Sequence, residues 1–331
     1  MIKSLVTGGA GFIGSHVADE LVTAGHQVVV LDDLSGGFRD NVPARAKFVE
    51  GSILDHELVN GLFASHRFDY VYHLAAYAAE GLSHFIKRYN YANNLIGSTN
   101  LINAAVNSGS VRCFVFTSSI AVYGHGPLPL TEEQTPAPVD PYGIAKYAVE
   151  LDLAEAKEMF GLDYVIFRPH NVYGERQNIG DKYRNVIGIF MNQILHGEPL
   201  TVFGDGEQTR AFTHIADVSP VIARCVERPA AFNRVYNIGA EKPYSVNQLA
   251  RCVAHAMDTD PRVVHLDRRN EVVDAYSTHD RVQSMFSDLI AGISLDEGLR
   301  RMAAWVRTAG ARTARPFADI EVRKNLPPSW S

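Results

Sequence analysis

The sequence predicts an α/β protein, a doubly wound parallel sheet followed by a smaller C-terminal α+β lobe. Three observations predict it. Short β-branched runs alternate with amphipathic stretches over residues 1–170, the pattern of βαβ units whose strands are buried on both faces. A glycine-rich turn joins the first apolar run to the first amphipathic stretch. Past Arg168 the regular alternation breaks down, while isolated strand and helix signals continue. The 331 residues fit about two domains.

The strand runs are Lys3–Val6, Val28–Asp32, Lys47–Glu50, Tyr70–Leu74, Cys113–Thr117 and Tyr164–Arg168, enough for a complete doubly wound sheet. Between them, Ile13–Ala24, Tyr91–Val106 and Tyr142–Met159 carry apolar residues at helical spacing, the last after the turn residues Pro138, Asp140 and Pro141. These elements make residues 1–170 a first domain. Over 171–306, short strands such as Leu200–Phe203 and Val235–Ile238 alternate with helices near Ile187–Leu195 and Val246–Met257, a small lobe with the chain free to cross between the two. Residues 307–331 are basic, contain proline and are weakly periodic, so they read as a tail or a wrapped terminal arm.

Composition excludes several classes of function. With 31 basic against 37 acidic residues, the net charge is −6, and no basic run is dense enough to track a nucleic-acid backbone. No apolar run approaches the roughly 18 residues of a membrane span, and no secretory signal opens the chain, so a soluble, cytoplasmic protein is expected. Cys113, Cys225 and Cys252 are too scattered for a disulfide framework or a metal site and read as apolar thiols.

The first strand runs into Thr7-Gly8-Gly9-Ala10-Gly11-Phe12-Ile13-Gly14, in which Gly9, Gly11 and Gly14 fit the dinucleotide pattern between a strand and a helix. Glycines there let backbone N–H groups approach a pyrophosphate at a helix N-terminus, whose dipole favours negative charge. The second strand ends at Asp32, 18 residues beyond Gly14, where a carboxylate can accept hydrogen bonds from an adenosine ribose. The same carboxylate repels a 2′-phosphate, so NAD is expected rather than NADP.

Tyr142 and Lys146 lie four residues apart on a predicted helix, hence on one face. A nearby cation stabilises phenolate, and this spacing predicts a tyrosine whose pKa is lowered toward neutrality for use as a base. Thr117-Ser118-Ser119 closes the fifth strand, and ligands of parallel sheets sit outside the carboxyl ends of strands.

With these residues the chain resembles the extended short-chain dehydrogenases/reductases, specifically the NAD-dependent nucleotide-sugar epimerases and dehydratases, over about residues 2–305. The resemblance rests on Gly8–Gly14, His73-Leu74-Ala75-Ala76, Asn94–Gly97, Ser118–Gly124, Tyr142 with Lys146, Arg168–Gly174, Gly204–Phe212 and His214–Val218. It implies a Rossmann-type sheet with tightly bound NAD, held by Gly8, Gly11, Phe12, Ile13, Gly14, Asp32, Asp33, Leu74, Ala75, Ala76, Asn94, Tyr142 and Lys146. Ser119, Tyr142 and Lys146 are the implied catalytic residues. The implied substrate is a nucleoside-diphosphate sugar, contacted by Ser119, Asn171, Asn185, Val186, Val202, Arg210, Arg268 and Glu271. A homodimer through a four-helix contact is implied as well, with Tyr91–Val106 and Tyr142–Met159 as its helices. His73, His170 and His214 read as structural, and Tyr147, Tyr164 and Tyr183 as packing residues. Glu80, Ser83 and Lys182 fall in loops able to face the sugar, although solvated surface is the default for such side chains.

In the family's dehydratases an Asp-Glu pair follows the catalytic hydroxyl residue, and in its 3,5-epimerases a cysteine stands two residues before the motif tyrosine. Here these positions hold Ile120 and Ala121, which exchange no protons. The resulting reading is a 4-epimerase that inverts C4 through a transient 4-keto sugar. A 3,5-epimerase or dehydratase of the same family, and a non-catalytic nucleotide-sensing homologue, stand as alternatives, and neither the sugar nor the base is specified.

Overall fold

Successive side chains of a strand face opposite sides of its sheet, and the sequence makes both sides apolar. The strands and helices concerned are β1 (Lys3–Thr7), α1 (Phe12–Thr23), β2 (Gln27–Asp32), β3 (Lys47–Glu50), α2 (His56–His66), β4 (Tyr70–His73), α3 (Gly97–Ser108), β5 (Cys113–Thr117), α4 (Pro141–Phe160), β6 (Tyr164–Pro169) and β7 (Arg234–Ile238). A computed structural model describes residues 1–268, 274–313 and 317–330. Val6, Val30, Tyr72, Val115 and Phe167 turn to the side covered by α1. Leu5, Val29, Val71, Phe114 and Phe116 turn to the other, against α2, α3 and α4. The strand order is β7-β6-β5-β4-β1-β2-β3, with every neighbouring pair parallel. The order reverses between β1 and β4, so their carboxyl ends open a crevice there.

Side chains fix the helix boundaries. Asp55 caps α2 by accepting from Leu58 N at 3.0 Å. Asp140 caps α4 by accepting from Gly143 N at 2.8 Å, with Pro141 in the first turn, where its missing N–H costs nothing. Gly161 ends α4 at φ 76°, a left-handed turn that glycine adopts without strain.

Three elements differ from the sequence expectation. The run around Val235–Ile238, expected in the second lobe, is β7, the seventh strand of the main sheet. Its Tyr236 and Ile238 fill one buried face while Val235 packs on the other, which suits only a strand covered on both sides. Helix α2 is not among the expected elements, although Val59, Leu62 and Phe63 sink into the core from it. The expected helix Tyr91–Val106 is broken into Lys87–Tyr91, a π-turn over Ala92–Ile96, and α3.

The second lobe is built on α5 (Val186–Leu195), α6 (Val246–Ala256) and α7 (Leu295–Ala309). Their apolar stripes share a core with the strand Leu200–Phe203, which pairs in parallel with Val263–Leu266. Helix α7 extends to Ala309, three residues past the expected domain end. Residues 317–330 then return to the first lobe, where Phe317, Ile320, Leu326 and Trp330 join Leu82, Ile86 and Tyr183 in one cluster.

Behind the sheet's carboxyl edge, the rings of His170 and His279 stack with centroids 5.2 Å apart and Nε2 atoms 3.1 Å apart, next to Ser277 Oγ. Burial holds both imidazoles well below the usual 6.5, so both are neutral near pH 7. The unfolded chain therefore binds protons below about pH 6.5 that the folded chain refuses, and stability falls as pH drops from there toward 4. We expect the thermal unfolding midpoint to fall across that interval and the fall to be shallower in His279→Gln, whatever that variant's stability at neutral pH. An identical slope in the two proteins would remove the histidine pair from the explanation.

Candidate active site

The crevice at the reversal point widens into a cleft of about 1410 Å³ between the lobes. Its floor is the glycine turn. Gly8 stands at φ 71°, and a β-carbon there would lie 2.7 Å from Ala75 N, while one on Gly14 would run into Gly8 O. Side chains would thus clash with the surrounding backbone, so only glycine lets the turn pack tightly enough to present its N–H groups to a pyrophosphate. Phe12, Ile13, Leu74, Ala75 and Ala76 line the same end, with Asp32 and Asp33 at its rim. Asp32 accepts from Ala10 N at 2.9 Å and Leu34 N at 2.8 Å, so it ties the turn to the end of β2 as well as facing the cleft. Burial raises its pKa against the pull of those N–H groups. Asn94 is different: fully buried in the π-turn, its amide is bonded to Tyr77 N, Tyr77 O and Asn90 Oδ1. It shapes the loop beyond Ala76 and is not part of the cleft wall.

Ser119, Tyr142 and Lys146 converge on this cleft from two elements. Ser119 caps the 3-10 turn Ile120–Tyr123, accepting from Ala121 N at 3.1 Å. Its hydroxyl also favours the ionised form of the Tyr142 phenol. From the next turn of α4, the Lys146 ammonium donates to Thr117 O at 2.8 Å and lies 4.7 Å above the Phe116 ring and 5.8 Å from that of Tyr142.

The electrostatics correct the sequence expectation. Burial raises the Tyr142 pKa, with the Ser119 hydroxyl opposing it and the Glu80 and Asp140 carboxylates adding to it. Lys146 does not lower it, because burial pushes that ammonium down to about 7 against the pull of Glu150. Glu150, one turn further along α4, is bonded by Ser118 Oγ at 2.5 Å and by Arg168 Nε and Nη2 at 3.0 and 2.5 Å. Arg168 also donates to Tyr123 Oη at 2.7 Å, and that hydroxyl donates to Asn237 Oδ1 at 2.8 Å. A buried polar chain thus joins α4, β6 and β7 directly behind the lysine.

From the second lobe, Asn171, Asn185, Val186, Arg210 and Arg268 reach the cleft. Two of the expected contacts are changed by local structure. Asn185 caps α5, accepting from Ile187 N at 2.9 Å and donating to Val172 O at 2.9 Å, so its amide is committed to the protein. Val202 points into the second-lobe core, whereas Thr201 and Phe203 on either side face the cleft; the strand's alternation sets the difference. Glu271 lies outside the described residues.

Two residues here, His125 and Arg184, were not singled out by sequence. His125 and Arg184 line the cleft; Arg184 is paired with Asp181 at 2.9 Å and lies over the Tyr77 ring at 5.0 Å. Glu80, Lys182 and Tyr183 line it also, while Ser83 is buried and accepts from Tyr142 N at 3.3 Å. His73 is held between Thr7 Oγ1 and Ser98 Oγ, each at 2.8 Å, and burial keeps it neutral. The strongest sequence signal without an assigned role is the end of the terminal segment, where Pro327, Pro328 and Trp330 form part of the wall.

The model of the NAD dependent epimerase/dehydratase family matches residues 4–239. A putative UDP-glucose 4-epimerase of Methanocaldococcus jannaschii is 33% identical over 306 residues, 92% of this chain and 98% of that protein. The UDP-glucose 4-epimerase of Thermotoga maritima, solved with UDP-glucose, superposes with a TM-score of 0.88 at 35% identity, covering 93% of this chain and 99% of that one. That of Thermus thermophilus, solved with NAD, gives 0.84 at 30% identity over 93% and 100%.

The Glu150–Arg168 pair is 4% exposed on both sides, so removing one partner strands the other's charge. Arg168→Met is expected to cost about 3–5 kcal/mol of unfolding free energy. Urea unfolding should show the double variant Glu150→Gln/Arg168→Met losing less than Arg168→Met alone. A loss below about 1 kcal/mol in the single variant, the range of an exposed pair, would mean the charge is not stranded.

Proposed function

The chain belongs to the NAD dependent epimerase/dehydratase family, and on that premise we propose how its residues carry out the NAD-dependent 4-epimerisation of a nucleoside-diphosphate sugar, with UDP-hexoses as the substrates. The observation that carries this reading is the Ser119–Tyr142–Lys146 group at the sheet's carboxyl edge, with only Ile120 and Ala121 beyond Ser119. Both lie in the 3-10 turn, Ile120 packed on the Val122–Leu130 cluster and Ala121 buried. Neither carries a proton to exchange.

Gly8, Gly11, Gly14 and Asp32 hold the dinucleotide, whose pyrophosphate matches the glycine cradle. When bound, NAD supplies a positive charge and the acceptor for the C4 hydrogen, which is returned to the same sugar. Tyr142 removes the proton of the 4-hydroxyl with Ser119 fixing the hydroxyl's position. A phenol raised by burial makes a strong base once ionised, and the positive charge that NAD would bring when bound favours that ionised form, while Lys146 is placed to hold the cofactor's ribose. Asn171, Val186, Arg210 and Arg268 hold the nucleotide and diphosphate while the 4-keto hexose turns to present its other face. A homodimer and a cytoplasmic location complete the proposal. Ile96, Ile144 and Leu151 are 54%, 43% and 51% exposed at the α3 and α4 side, with Ile144 and Leu151 seven residues apart on one face. Among the described residues no helix is long and apolar enough to cross a membrane, and all three cysteines are free thiols.

Tyr142→Phe is expected to lower turnover about 100- to 10,000-fold with nucleotide affinity retained, the span of lost general-base catalysis; a smaller loss than that would mean another group is the base. Epimerised product made in D₂O should carry no deuterium on carbon. Stoichiometric label at C3 or C5 by mass spectrometry would instead demonstrate the 3,5-epimerase reading. Light scattering should give twice the chain mass for the native protein and a single chain mass for Leu151→Glu; an unchanged mass would place the dimer contact elsewhere.

A further inference from the structure

The segment Phe317–Trp330 is fastened to the first lobe at three points. The Glu321 carboxylate accepts from Arg88 N and Tyr89 N at 2.8 and 3.0 Å, at the start of the Lys87–Tyr91 helix. Glu321 N and Val322 N both donate to Phe85 O, at 2.8 and 3.1 Å. Phe317 packs edge-on against Tyr89 at 4.8 Å and beside Tyr77 at 5.4 Å. Trp330, only 5% exposed, sits edge-on to Phe85 and Tyr183 with centroids 6.0 and 5.5 Å away. A β-carbon on Gly81 would lie 3.0 Å from its ring. The hold combines fixed backbone bonds with a buried aromatic anchor, so the segment is part of the folded first lobe.

What it covers is the loop nearest the catalytic tyrosine. Ser83 Oγ accepts from Tyr142 N at 3.3 Å, and the Glu80 carboxylate acts on the Tyr142 phenol. The glycine turn occupies one end of the cleft, and Arg210 with Arg268 stands on the second-lobe side. Glu80, His84 and the arm's Leu326, Pro327, Pro328 and Trp330 line the same cleft, and Trp330 lies against Gly81, in the loop whose Ser83 meets Tyr142. Apart from Lys324 and Asn325, the arm's lining residues are apolar, and two successive prolines stiffen its backbone.

We infer that this arm is a specificity wall: it closes the corner of the cleft that takes the hexose and selects against sugars bulkier than an unsubstituted one. The inference rests on the 4-epimerase reading and deepens it. Removing the wall enlarges the corner and at the same time strips contacts from the smaller sugar, so both effects move selectivity in one direction.

Calorimetry on NAD-loaded protein would measure binding of UDP, UDP-glucose and UDP-N-acetylglucosamine to the full chain, to a variant lacking residues 317–331, and to Trp330→Ala. In the full chain UDP-glucose should bind more tightly than the N-acetylated sugar. That preference should fall by about tenfold or more in the shortened protein, the discrimination an apolar pocket achieves for one small group, and partly in Trp330→Ala, with UDP binding unchanged. If the shortened protein does not fold, Trp330→Ala decides by the same ratio. An unchanged preference, or an equal weakening of UDP itself, overturns the wall. Interconversion of UDP-glucose and UDP-galactose by the full chain, followed in parallel, tests the epimerase reading separately, since the binding ratios are read whether or not turnover occurs.

Discussion

A cation enclosed by protein constrains everything around it. Lys146 is 2% exposed, and an ion so placed needs its lost hydration replaced by specific partners. Thr117 O supplies a hydrogen bond, Phe116 an aromatic face, and Glu150 an opposite charge one helical turn away. Glu150 is buried in its turn and needs Arg168 and Ser118, and Arg168 needs Tyr123, which reaches Asn237. The position of one lysine therefore fixes α4 against β5, β6 and β7. Desolvation still exceeds these compensations, which is why its pKa settles near 7.

The parallel sheet adds a second constraint, because every strand delivers its carboxyl end to the same edge. Gly8, Leu74 and Ser119 follow three different strands, yet all line one cleft. The reversal of strand order between β1 and β4 parts the helices on the two faces and leaves room for a dinucleotide. Asp32 ties this end together: its carboxylate holds Ala10 and Leu34, so the residue proposed to meet the ribose is also the latch of the glycine turn.

Much of this was legible in the sequence wherever local pattern decides the outcome. Strands with both faces apolar, the glycine turn, and the Tyr142/Lys146 spacing depend on neighbours within a few residues. Partners distant in sequence were not legible. β7 reads as one more short strand, and only Tyr236 and Ile238 meeting the Phe167 side of the core reveal which sheet it joins. Val202 and Asn94 were placed at the site by motif, but strand alternation turns the first inward and a π-turn buries the second. The Tyr142 pKa went the other way because burial, which no spacing encodes, outweighs a lysine that is itself half titrated at pH 7. The hold of Glu321 on Arg88 spans 233 residues, and no pattern within either segment announces it.

An enzyme that inverts one carbon by turning its intermediate must hold two parts of a substrate in different ways. The nucleotide and diphosphate can be gripped, and the cationic Arg210 and Arg268 on the second-lobe side suit that task. The hexose has to present both faces to the same Tyr142, so a dense set of directional hydrogen bonds around its ring would favour one orientation and oppose the turn. Shape is then the means left for selecting the sugar, because an apolar wall excludes bulk equally in both orientations. A stiff surface of Leu326, Pro327 and Pro328, anchored through Trp330 away from the reacting atoms, meets that requirement without restraining the rotation on which the reaction depends.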